Sequence, residues 1–66
     1  MKTKAELKVW YISFRQNGRE ICDTKICSQN YITAAAYARR EAKELGTCDK
    51  IVMENSDSFK LYVIEL

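Results

Sequence analysis

After a polar stretch over residues 1–6, the chain runs Leu7-Lys8-Val9-Trp10-Tyr11-Ile12-Ser13-Phe14, dense in β-branched and aromatic side chains. Such residues favour an extended backbone, and alternation places Trp10, Ile12 and Phe14 on one side with Val9, Tyr11, Ser13 and Arg15 on the other. The run predicts a strand with two partly apolar faces. Gln16-Asn17-Gly18-Arg19 follows. Asn-Gly supplies the two positive-φ residues of a type I′ turn, so the chain is expected to double back as a hairpin. A two-residue loop pairs Arg15 with Glu20 and Phe14 with Ile21, an opposite-charge pair and an apolar pair. The same register sets Trp10 beside Lys25 and Ile12 beside Asp23. A bulge at Gly18 is the alternative, and it turns over the faces of the second strand.

Cys27-Ser28-Gln29-Asn30 is polar and reads as a connection. From Tyr31 to Leu45 the chain is rich in alanine with Arg, Glu, Lys and Leu, all good helix formers, and Gly46 follows as a left-handed stop. Asn30, Thr33 or Ser28 is available as N-cap. Tyr31, Ala35, Ala38, Ala42 and Leu45 recur at helical spacing and make one face. Because that face is mostly alanine, the helix can lie close to a sheet, with Trp10, Phe14 and Phe59 expected to fill the space.

Beyond Gly46, Lys50-Ile51-Val52-Met53-Glu54 reads as a short strand, Asn55-Ser56-Asp57-Ser58 as a turn, and Phe59 to Leu66 as a last strand. The order β-β-α-β-β predicts an α+β fold of two layers, a mainly antiparallel four-stranded sheet with one helix packed on one face. Residues 1–66 are expected to make one small domain, with residues 1–6 a frayed arm.

One helix covers one side of a sheet. The first and last strands nevertheless carry apolar residues on both sides, so the side away from the helix is expected to present apolar groups to water or to a partner. Val9, Tyr11, Tyr62 and Ile64 are the expected members of that surface, with Ile26 a further neighbour. Scattered apolar residues are also ordinary on any folded surface, and strong β-formers stabilise a strand without serving a ligand.

Composition narrows the picture. The chain has 66 residues, 47% of them apolar and 30% charged, with no His, no Pro and three Cys. A chain of this length buries only about 60% of its unfolded surface, and its core supplies only ~3–5 kcal/mol. No apolar run approaches the ~20 residues of a membrane span, and no apolar segment of signal-peptide type follows the charged start. Cys22, Cys27 and Cys48 are odd in number, which argues against a closed disulfide framework and for reduced thiols in the cytoplasm.

Candidate chemistry is thin. Closed zinc sites use four Cys or His ligands; here Cys22 and Cys27 are separated by four residues, Cys48 stands apart, and only Asp23 or Asp49 could complete a set. A nucleophilic thiol wants a base, normally His, and the chain has none. The carboxylate pairs Glu41 with Glu44 and Asp49 with Glu54 fall on expected solvated surfaces. Gly18 and Gly46 have turn and cap roles and form no phosphate loop. The expectation is a non-catalytic chain without metal, cofactor or small-molecule substrate.

Net charge is only +2. Residues 1–33 hold six Lys/Arg against three acids, whereas residues 34–66 hold five against six. The first hairpin is therefore the basic part, and Lys8, Arg15, Arg19 and Lys25 are its candidate nucleic-acid contacts. A two-stranded ribbon can enter a major groove and sheet aromatics can stack bases, although Lys and Arg on an exposed strand also serve to discourage aggregation.

Trp10-x-x-x-Phe14, Gly18-Arg19 and then Thr33-Ala34-Ala35 entering an alanine-rich helix resemble the hairpin-then-helix of the arm-binding domains of integrases and of a class of plant DNA-binding domains. The likeness covers about 35 residues by generic turn and helix features. Those domains have three strands before the helix; two are evident here, and two more follow. The leading expectation is an interaction module that forms a homodimer or docks a protein partner through sheet face or edge. The alternative is a small nucleic-acid-binding accessory protein of phage or mobile-element type.

Overall fold

The computed structural model describes residues 7–66. The elements are β1 (Lys8–Gln16), β2 (Arg19–Ser28), α1 (Tyr31–Leu45), β3 (Lys50–Asn55) and β4 (Leu61–Glu65). Every neighbouring pair of strands is antiparallel, in the order β2-β1-β3-β4, and α1 packs on one side. The fold is the expected two-layer α+β arrangement. The expected frayed arm lies outside the described residues.

The first turn forms as its dipeptide dictates, with Asn17 at φ 53° and Gly18 at φ 79°. Gln16 pairs with Arg19 and Arg15 with Glu20, but Phe14 pairs with Cys22 rather than Ile21. Ile21 is the extra residue of a bulge, three positions beyond Gly18. The bulge corrects the simple hairpin register for a physical reason. Without it, Lys25 and Asp23 would lie beside the buried Trp10 and Ile12, where an unpaired charge is costly. With it, Trp10 pairs with Ile26 and Ile12 with Thr24, and the charges turn to the opposite side.

Asn30 caps α1: its backbone is extended and its side-chain oxygen accepts from the Thr33 N–H at 2.9 Å. Gly46, at φ 80°, ends the helix and donates its N–H to the Ala42 carbonyl. Ala34, Ala35, Ala38 and Ala42 are buried against the sheet. Leu45, expected on the same stripe, is exposed.

The bulk of the core comes from the sheet, where Trp10, Ile12, Phe14, Ile51 and Met53 are fully buried. Phe59 does not join them. It is 73% exposed and sits at φ 58°, outside the strand it was expected to begin. The cause is the turn before it. Asn55 is buried; its side-chain oxygen accepts from the Asp57 and Ser58 N–H groups, and its backbone bonds both Phe59 and Lys60. β4 therefore starts only at Leu61.

Candidate functional site

The face opposite α1 is built by alternate residues of four strands. One row across it is Lys25, Tyr11, Glu54 and Leu61; the next is Asp23, Ser13, Val52 and Val63; a third is Glu20, Arg15, Lys50 and Glu65. Tyr11, Leu61 and Val63 are 48%, 61% and 55% exposed. The apolar part of this open face thus spreads from Tyr11 toward β4, whereas the β2 side is charged. A shallow depression of about 190 Å³ runs between them, lined by Tyr11, Ser13, Asp23, Val52, Glu54 and Leu61.

Of the four residues expected on this surface, two are there. Tyr11 is exposed on it, and Val9 is half-buried beside Cys27, its carbonyl accepting from the Ser56 N–H at 3.0 Å. Tyr62 and Ile64 lie on the helix side instead, and so does Ile26. Ile64 is buried, and Tyr62 stacks on Tyr31 with ring centroids 4.6 Å apart while also meeting Trp10 at 5.7 Å. Both alternating sets of β4 are apolar, so hydropathy could not separate them. The register does: Glu54 opposite Leu61 puts Leu61 and Val63 on the open face. Sequence reasoning missed these two, and the acidic Glu54 was the signal that tied that row to water.

The four candidate nucleic-acid contacts do not gather. Arg15 and Lys25 belong to the open face, whereas Lys8 pairs with the buried Ser28 on the helix side and Arg19 follows the turn opposite Gln16. Arg15 is already engaged, donating to the Gly18 carbonyl at 2.9 Å and to Ser13 Oγ at 3.4 Å. Ser13 in turn donates to Glu20 at 2.8 Å, and Lys50 pairs with Glu65 at 3.8 Å. The cations of this face are therefore interleaved with acids.

Cys22 and Cys27 are exposed free thiols, and Cys48 is half-buried. Among the described residues no set of His, Cys, Asp and Glu is gathered to hold a metal, and no helix is long and apolar enough to cross a membrane. No family pattern, no curated protein and no solved structure matches this chain.

Proposed function

We propose that this chain is a small, non-catalytic interaction module of the cytoplasm that self-associates, or docks a protein partner, through the open face of its sheet and the adjoining edges. The observation that carries the reading is the exposure of Tyr11, Leu61 and Val63 together on the side that α1 leaves uncovered. Apolar groups grouped on one face lose contact with water when a second surface covers them, which is the ordinary driving force of association. The odd number of thiols supports a reducing compartment.

Sedimentation of the intact chain at micromolar concentration tests this reading. More than one chain per particle is expected. Replacing Leu61 and Val63 together by Lys assigns the contact to the face if association is lost, and to an edge if it is kept. A monomer throughout the micromolar range, with no protein bound, removes the reading.

A second reading has one favourable feature, the placement of Tyr11 on the open face directly beside Lys25. An aromatic next to a cation can stack a single-stranded base. Titration with single- and double-stranded nucleic acid at ~50 mM salt, where phosphate contacts are strongest, tests it. Absence of binding there eliminates it.

A further inference from the structure

We infer that a second copy of this chain pairs with the first along the outer edge of β2, antiparallel and centred on Thr24. This rests on the self-association proposed above and assigns it to an edge adjoining the open face, whose Tyr11, Leu61 and Val63 stay uncovered by this contact. β2 is the outermost strand on its side, and beyond the Ile21 bulge its regular part, residues 22–28, is mostly exposed. An edge of that length offers a row of unpaired backbone groups to an incoming strand.

Charge selects both the occupant and the register. Asp23 and Lys25 are exposed on the open face, two positions apart, and among the described residues neither takes part in an ion pair. Two copies of β2 meeting about Thr24 set Asp23 opposite the partner's Lys25 and, by symmetry, Lys25 opposite the partner's Asp23. On the helix side the same register sets Cys22 against the partner's Ile26, and Thr24 meets the partner's Thr24. These are favourable cross-strand pairs. Centring on residue 23 would stack Asp23 on the partner's Asp23, and centring on residue 25 would stack the two lysines. Centres between residues do not arise, because the two-fold axis relating two facing β2 edges stands perpendicular to the sheet and keeps paired side chains on the same side. A single edge lysine repels an identical strand; an aspartate two positions away on the same face converts the repulsion into a match.

The second edge lacks this property. Lys60 precedes β4 on the helix side and Glu65 lies on the open side, so no self-pairing of β4 with both helices on one side joins opposite charges. α1 contacts β1, β2 and β3, so in a continuous sheet the two helices lie side by side on one side of the sheet, with the two β1 strands roughly 14 Å apart. The product is an eight-stranded sheet with both helices on one side and both Tyr11-Leu61-Val63 surfaces on the other.

Charge reversal with mixing tests the register, read by sedimentation equilibrium alongside far-UV circular dichroism. Lys25→Asp and Asp23→Lys are each expected to weaken self-association by about tenfold, since both symmetric pairs become like-charged. Mixing the two variants restores association as a heterodimer, and the doubly swapped chain carrying both changes self-associates again. If the unaltered chain associates but neither single variant weakens it, pairing along β2 is overturned while the broader reading stands. If the unaltered chain remains a monomer, both fall.

Discussion

The indole Nε1 of Trp10 donates to the carbonyl of Ser28 at 3.2 Å, joining the middle of the core to a residue 18 positions along the chain. Ser28 is itself buried and continues the connection: its hydroxyl donates to the Asn30 carbonyl at 3.0 Å, and Asn30 caps α1. The bulge at Ile21 makes this possible, because it brings Ile26 and Ser28 round to the helix side. One hydrogen-bonded path thus ties β1, the end of β2 and the first turn of the helix.

Trp10→Phe breaks that path at its source. The substitution removes the N–H, leaves the Ser28 carbonyl short of a partner and opens a small void beside Tyr62 and Tyr31. The expected loss is about 2–4 kcal/mol, a large fraction of what so small a core provides. Urea unfolding followed by circular dichroism should show a lower midpoint at unchanged slope. An unaltered midpoint would mean that the strand end and helix start are held by other contacts.

Much of the fold was legible because local chemistry agreed with it. Asn17-Gly18 marks a turn whatever surrounds it, and the alanines and Gly46 mark the body and end of α1 without tertiary information, while the structure picks Asn30 as cap from three available residues. The bulge at Ile21 carried no such mark, since neither Gly nor Pro announces it. Its clue was indirect, in the charges that a simple register would have put beside Trp10 and Ile12. The faces of β4 were hidden for a different reason. Leu61 and Val63 are as apolar as Tyr62 and Ile64, and their assignment depends on how the Asn55 turn delivers the strand to β3. The open surface was therefore legible as a consequence of counting layers, but only its β1 half could be named.

Phe59 holds a left-handed backbone conformation that bulky residues adopt at a cost, while its ring gains little from packing because it is mostly exposed. Phe59→Asn should keep the Phe59-to-Asn55 backbone bond and relieve that strain, stabilising the fold by about 0.5–1.5 kcal/mol. Thermal unfolding measures it. A destabilised variant would show that the ring makes contacts worth more than the strain.

The closeness of α1 to the sheet gives a paired comparison. Ala38 is completely buried and Ala36, two residues before it, is exposed. Ala38→Leu forces three extra carbons between helix and sheet and should cost about 1–3 kcal/mol. Ala36→Leu points to solvent and should change stability by less than ~0.5 kcal/mol. Equal effects in chemical denaturation would contradict the tight seat of the helix.

The thiols report on both the fold and the pairing of β2. Cys22 and Cys27 are exposed, while the Cys48 Sγ donates to the Lys50 carbonyl at 3.2 Å in a half-buried position. With a water-soluble disulfide reagent at dilute protein, two thiols should react fast and the third about tenfold more slowly, since attack requires an accessible thiolate. In urea all three should converge on one rate. Raising the protein concentration adds a second contrast. Cys22 lies within the five residues that meet the partner strand, so its reaction should slow as copies pair, whereas Cys48, at the opposite side of β1, should keep its rate. A Cys22 rate that is independent of concentration across the association range would place the contact between copies elsewhere on the molecule.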